Sequence, residues 1–301
     1  MDQSEHPGVP QRPPASAMLL VSSTDRYKEP ADRLVYPTTS ANWTLNLKAP
    51  VLNGYFTRLA LSQLQVQWNM PTIIENRNDA IDIQWTSPGG PLNDSVVLNP
   101  AFYSPTELAA EIENVILATA NGTSAGFTCA WTGQYFQMRC ATAGWTLFFN
   151  AYPAGVDPTG EIYNRFLFTI GGNGDVVANG FDTGPPQMTY TRWIDIVSDR
   201  LTKFQRVKDS SSLPNSITQA IIARVYPCPP NVSLNESQPG QLFAQPWVMT
   251  IDYNTPKHIK WSPDEALHNF DIRVLDEFGE EIFWSSQWPT EYQLTFLASE
   301  T

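Results

Sequence analysis

The feature that most narrows what this chain can fold into is a hydrophobic alternation of period two that recurs in short bursts. Trp43, Leu45 and Leu47, then Leu64, Val66 and Trp68, then Ile81, Ile83 and Trp85 place apolar side chains on every second residue. The pattern returns at Trp145, Leu147 and Phe149, at Ile272 and Val274, and at Tyr292, Leu294 and Phe296. Successive side chains of an extended strand point to opposite faces, so each burst describes a strand with one buried face. Gly, Pro, Asn and Asp separate the bursts and supply the backbone conformations that turns require. No repeat of fixed period links them. Many short strands with little helix indicate a mainly β fold, an antiparallel sandwich or jelly roll.

One segment departs from this pattern. In Ser104-Pro105-Thr106-Glu107 the serine is placed to cap the helix, proline occupies its first position, and Glu107 can reach back to the cap. Leu108, Ile112, Val115 and Ile116 follow at helical spacing, which predicts one helix of about four turns ending near Ala118. Behind it, Phe127 to Trp131 and Gln134 to Cys140 flank Thr132-Gly133, the expected hairpin turn. That turn would set Cys129 opposite Phe136. Phe166 to Ile170 looks strand-like and leads into a glycine-rich turn, Gly171-Gly172-Asn173-Gly174. Near the end, Asp276-Glu277-Phe278-Gly279-Glu280 reads as a longer hairpin loop.

The chain has 301 residues, enough to bury about three quarters of its unfolded surface as one large domain or two modest ones. An aromatic fraction of 12%, with 10 Trp, excludes a disordered chain, because that much apolar surface offsets the entropy of ordering the backbone. Charged residues make up only 16%, below the usual figure of about 25%, and such a charge-poor surface suits subunit contact. The net charge of −12 repels phosphate backbones and anionic headgroups, so neither nucleic acid nor a membrane surface is an expected direct partner. The longest uncharged stretch, Asn114 to Met138, is broken by Asn, Gly, Thr and Gln and is too polar to span a membrane. Residues 1–17 carry Pro7, Pro10, Arg12, Pro13 and Pro14 and read as an extended arm that is either disordered or docked on a neighbour; in the docked case these residues are the expected subunit contacts. No signal-peptide core is visible, so Cys129, Cys140 and Cys228 are expected as reduced thiols.

Residues able to carry chemistry are sparse. Gly122-Thr123-Ser124-Ala125-Gly126 matches the spacing of a hydrolase nucleophile elbow centred on Ser124, but that elbow runs from strand into helix and here the expected helix comes first. His6, His258 and His268 have no metal-ligand spacing, and no metal or cofactor is expected. Asp79 with Asp82, and Asp276-Glu277 with Glu280-Glu281, lack the calcium-loop pattern and read as solvated turns. Trp284, Trp288 and Tyr292 could form an aromatic platform for a glycan.

Several stretches, taken in order, resemble the jelly-roll minor capsid and penton (vertex) proteins of double-stranded DNA viruses of the double-jelly-roll lineage, including giant-virus relatives, virophages and polinton-like viruses. They are Leu19-Leu20-Val21-Ser22-Ser23-Thr24-Asp25-Arg26, then Ser40 to Leu47, then Leu59 to Trp68 and Val96 to Ala109. The hairpin Cys129 to Phe136 and the closing Phe270 to Gly279 complete the set. The chain departs from the pattern at Ala101, where the family has glycine, and in the hairpin, which lacks the family's aspartate. The resemblance implies a single jelly roll over residues 18–301 with one short helix and an insertion within about 70–186. It implies a virion protein without catalysis or cofactor, a homopentamer that contacts the major capsid protein and other capsid components. A virion spike that binds a receptor or glycan is the alternative, and a hydrolase using Ser124 a remote one.

Overall fold

A computed structural model describes residues 16–27, 39–46, 50, 56–149, 166, 169–170, 177–178, 180–203, 220–227, 246–256, 258–261, 266–282 and 290–300. Strands are numbered in chain order. The first sheet sets β1 (Ser16–Ser22) beside β16 (Glu291–Ser299) and then β3 (Arg58–Trp68), whose other edge pairs with β13 (Trp247–Asp252) and β14 (His258–Lys260). The second runs β12 (Ile221–Val225), β11 (Ile194–Val197), β15 (Asn269–Leu275), β2 (Asn42–Asn46). Every pairing in both is antiparallel. Their inward faces share one core, in which Leu64, Val66, Trp68, Leu294 and Phe296 of the first sheet meet Ile196, Ile272 and Val274 of the second. The result is a jelly-roll-like β-sandwich, as the alternation requires.

Strand β3 shows how closely the pattern is followed. Its apolar residues fall at odd positions, Leu59 and Leu61, and then at even ones, Leu64, Val66 and Trp68. A strict period would turn one set to solvent. The register with β16 slips at this point, from Leu61 opposite Phe296 to Gln63 opposite Thr295, so Ser62 is an extra residue that restores the phase. The Ser62 hydroxyl donates to the Thr295 carbonyl at 3.0 Å. At the strand's end Trp68 lies opposite Trp247 with ring centroids 5.9 Å apart, a stacked cross-strand pair.

A second core is drawn wholly from residues 73–188. One sheet there runs β5 (Gly90–Val97), β4 (Ala80–Ser87), β8 (Thr146–Phe148), β9 (Val177–Ala178), and another runs β10 (Phe181–Asp182), β7 (Phe136–Cys140), β6 (Phe127–Trp131). Helix α1 (Pro105–Leu117) lays Leu108, Ile112 and Ile116 into this core, and the Ser104 side chain accepts from the Glu107 amide while Glu107 accepts from the Ser104 amide. The expected capping box is present.

Four expectations need correction. Strand β1 begins at Ser16, so Ser16 and Ala17 belong to the sheet and not to the arm; Ser16 pairs with Ser299 and Ala17 packs against the core. A second helix, α2 (Ala120–Ala125), follows α1, capped by Thr119 and closed by Gly126 at φ 60°. Phe166, Thr169 and Ile170 are helical, and the four-residue spacing of Phe166 and Ile170 brings both fully buried side chains to one face. The hairpin turn centres on Gly133-Gln134, one residue later than expected, with Gly133 at φ 99° in its first central position. That shift moves cross-strand partners by two, so Cys129 faces Met138 and Cys140 faces Phe127 while both thiols stay on the buried face. Leu47, Gly171 to Gly174 and Cys228 lie outside the described residues.

Cys129 and Cys140 are free and buried, and burial pushes the Cys129 thiol up to about 12 and the Cys140 thiol to about 11. The unfolded chain ionises these thiols near pH 9, before the folded chain does. Stability is therefore complete below pH 9 and declines between pH 9 and 12, by up to about 1.4 kcal/mol per pH unit per thiol. Urea denaturation across that range should show the decline, and Cys129→Ala should make it shallower. A second prediction concerns Gly122, where a Cβ would sit 2.0 Å from the Ile116 carbonyl oxygen. Gly122→Ala should cost about 1–3 kcal/mol, because a backbone atom cannot yield as a flexible side chain does. An unchanged denaturation midpoint would contradict this.

Candidate functional site

The residues expected to carry chemistry are spent on structure. The Ser124 hydroxyl lies inside α2 and donates to the Ala120 carbonyl at 2.8 Å, with a strand after the helix instead of before it. His258 lies on β14 and His268 just before β15, both exposed. The Asp276 carboxylate accepts from the Phe278 amide at 2.9 Å and the Glu280 amide at 3.1 Å, and so shapes the hairpin tip. Glu277 accepts from the Arg192 amide at 2.6 Å. Among the described residues no three His, Cys, Asp or Glu side chains gather where they could hold a metal. Tyr292 is not part of an exposed platform; it is 4% exposed, receives a hydrogen bond from Trp43 Nε1 at 2.7 Å and donates to the Ser40 carbonyl at 3.0 Å. Trp284, Trp288, His6 and the arm residues Pro7, Pro10, Arg12, Pro13 and Pro14 lie outside the described residues.

The described polar groups converge instead on Ser22-Ser23-Thr24-Asp25-Arg26. This segment forms a 3-10 turn after β1, with Ser22 and Asp25 capping it reciprocally. The turn aims Arg26 at Glu291, the first residue of β16. The guanidinium engages both carboxylate oxygens, Nη1 to Oε2 at 2.7 Å and Nη2 to Oε1 at 2.8 Å. The two side chains are only 3% and 11% exposed. Ser23 donates its hydroxyl to Glu291 and accepts from the Tyr292 amide at 2.9 Å, while Arg26 also reaches the Ser23 carbonyl. Burial works against a charged guanidinium, but the hydrogen bonds and charge of Glu291 outweigh it, so Arg26 holds its proton more firmly than a free arginine. Each serine, the aspartate and the arginine of the motif thus has a separate task. Glu291 had no local signal in the sequence, since its partner is 265 residues away.

Beside this clamp the outward face of the first sheet dips into a cleft of about 280 Å³ lined by Ser22, Gln65, Gln67, Val248, Glu291 and Gln293. Glutamine amides and a hydroxyl donate and accept hydrogen bonds but do not titrate, and the Glu291 charge is already matched.

Removing one partner of a buried pair leaves the other charge uncompensated. Glu291→Ala should therefore destabilise the fold by about 3–5 kcal/mol. Replacing both partners, Arg26→Met with Glu291→Leu, should recover most of that loss. A double-mutant cycle from chemical denaturation reads the difference, and additive single effects would show that the pair is not coupled.

No family model matches the sequence, and no curated protein sequence matches it. Among solved structures, a cryo-EM structure of the Sputnik virophage is similar with a TM-score of 0.47 at 12% identity, covering 96% of this chain and 98% of that one. The crystal structure of the mavirus penton protein is similar with a TM-score of 0.52 at 11% identity, covering 95% of this chain and 100% of that chain. With strands, sheets and clamp in place over that length, the chain has the jelly-roll-like fold of the mavirus penton structure.

Proposed function

We propose that this protein is a structural subunit of a virion capsid, at the vertex or another minor capsid position, where it forms a homopentamer and contacts the major capsid protein. The observation that carries this reading is the fold match to the mavirus penton protein along the whole of that chain. The order of short motifs in the sequence supports it independently, and the first of them is the segment that builds the clamp. A low charge content suits a surface that meets other subunits. In this reading the second core, drawn from residues 73–188, is an insertion carried by the roll. The arm, with Pro7, Pro10, Arg12, Pro13 and Pro14, ties the subunit to its neighbours. Jelly rolls serve such work because loops can change to meet new neighbours while the sheets stay the same.

Light scattering on the purified protein should give about five times the chain mass, and negative-stain images should show rings. A protein that remains monomeric and fails to enter capsids when co-expressed with the other shell components would overturn the reading. Deleting residues 2–15 should leave the melting temperature unchanged and reduce capsid incorporation. Unchanged incorporation would remove the arm from the contact.

A further inference from the structure

The outward faces of the two sheets differ in kind. Eight large apolar side chains are exposed among the described residues, and the four on the outward face of the first sheet, Met18, Leu20, Val248 and Leu297, are all aliphatic. The two aromatic ones, Tyr226 at 61% and Phe278 at 53%, lie at one end of the second sheet, just past β12 and β15. Asp195 is opposite Arg224 on one side and Leu275 on the other. Extending both registers by two residues sets Tyr226, Trp193 and Glu277 in one row across three strands. Side-chain contacts agree with that row. The Trp193 and Tyr226 ring centroids are 6.3 Å apart, and Glu277 accepts at 2.6 Å from the amide of Arg192, the neighbour of Trp193. Arg224 braces the ledge, lying 4.9 Å over the Trp193 ring and held by both Asp195 oxygens at 2.7 and 2.8 Å. A second ion pair, Arg273 with Asp199 at 2.6 Å, stands on the same face.

The segments that build this ledge, 191–195, 224–226 and 275–282, hold two cations, Arg192 and Arg224, against the carboxylates Asp195, Asp276, Glu277, Glu280 and Glu281. An aromatic ledge bordered by acids suits a proline-rich segment that carries a cation. Polyproline II helices dock on aromatic-lined surfaces, and being preformed they lose little entropy in doing so. The chain has such a segment in Pro7-Gly8-Val9-Pro10-Gln11-Arg12-Pro13-Pro14, where Pro7, Pro10 and Pro13 recur at every third residue. A polyproline II helix has three residues per turn, so these rings share one edge, successive ones about 9 Å apart. With Pro7 and Pro10 straddling Tyr226 and Trp193, Arg12 lies about 6 Å further along the row, where it continues to Glu277.

The segment that meets this ledge belongs to another copy, because its own cannot reach. Strand β1 starts at Ser16, at the end of β16 away from the clamp. The ledge is at the clamp end: Trp43, which bonds Tyr292, is opposite Ile272, and the row stands beyond Leu275. It also lies at the β12 edge of the second sheet, furthest from β2, the strand that Trp43 ties to the first sheet. The length of β1, the width of the second sheet and the spacing between sheets separate Ser16 from the row by at least about 25 Å. From Ser16 back to Pro10, a fully extended chain spans at most about 22 Å. We propose that Pro7 and Pro10 of one copy dock on the Tyr226–Trp193 ledge of a neighbouring copy, with Arg12 facing its Glu277 and Glu280. The arm leaves at one end of the roll and is received at the other, so the contact is head-to-tail, the type that can close into a ring. This inference rests on the capsid-subunit reading, in which the arm ties neighbours together, and names the surface that receives it.

The test titrates a fluorescent synthetic peptide of residues 1–15 against the full chain and reads anisotropy, with sedimentation velocity on the same proteins. The peptide should bind saturably. Tyr226→Ser replaces an exposed side chain and should weaken binding by about tenfold or more with an unchanged melting temperature. A peptide with Pro10→Gln and Gln11→Pro keeps the composition but breaks the period of three, and it should bind as poorly. Arg12→Glu in the peptide should also weaken binding, and Glu280→Lys in the protein should restore it. Met18→Ser, on the other sheet, should leave binding as it is. In the full chain, Tyr226→Ser and the exchange of residues 10 and 11 should each weaken assembly. A peptide that fails to bind, or that binds Tyr226→Ser as well as wild type, overturns this contact, and incorporation into particles then judges the capsid reading separately. A plain polyproline peptide that binds as tightly as the arm overturns the assignment to the arm. Assembly that persists unchanged in Tyr226→Ser overturns the link between copies while leaving the capsid reading intact.

Discussion

A buried guanidinium–carboxylate pair joins two parts of the chain that are 265 residues apart, and the first sheet depends on it. Arg26 can reach Glu291 only when the turn after β1 is formed and β16 lies beside β1, so the pair is satisfied in one arrangement of these strands. Taking two charges out of water is costly, and only a two-pronged geometry with every remaining lone pair occupied offsets that cost. Here Ser23 occupies a carboxylate oxygen and Tyr27 receives Nη2 at 2.8 Å. The neighbouring Trp43–Tyr292–Ser40 chain adds the start of β2 to the same knot. An alternative register would strand these groups without partners, which is a stronger argument for specificity than for net stability.

Strand β16 is central for the same reason. It pairs with β1 from Ser16 to Ser22 on one side and with β3 along its full length on the other. The Ser62 bulge lets β3 keep Leu59, Leu61, Leu64, Val66 and Trp68 on the inner face despite the change of phase. A continuous inner wall leaves the outward face free to vary in chemistry, and there the chain places glutamines and a few apolar side chains in place of the ion pairs that cover the second sheet.

The chemistry that resembles a catalytic site in the sequence serves instead to build structure. The Ser124 hydroxyl returns to a helical carbonyl four residues back. The acidic hairpin tip uses Asp276 to hold amides. Such roles agree with the proposed part of a capsid subunit, because contact surfaces need a rigid presentation of ordinary side chains more than reactive ones.

Local chemistry made much of this molecule legible from the sequence. Period-two bursts marked β3, β4, β15 and β16, since alternation survives any partner, and the Ser104–Glu107 box marked the start of α1 because capping is settled within four residues. The hairpin turn lies one residue later than the sequence indicates, as Thr132-Gly133 and Gly133-Gln134 both contain the glycine that a tight turn needs and only the pairing of the strands chooses between them. Phe166 to Ile170 looks strand-like in the sequence, but Phe166, Thr169 and Ile170 are helical for a like reason: a short apolar run suits strand or helix until a core takes one face of it. The serines, aspartate and arginine of the amino-terminal motif stood out in the sequence, but their purpose did not. Glu291 is an ordinary acidic residue until antiparallel pairing brings it to Arg26 and removes both from water. The sequence by itself determined that β3, β4, β15 and β16 are strands and which of their faces are buried, because alternation rests on neighbours within a few residues. Only the tertiary structure decided which charges meet and which outward face is left apolar, because both depend on residues that become neighbours after the sheets assemble.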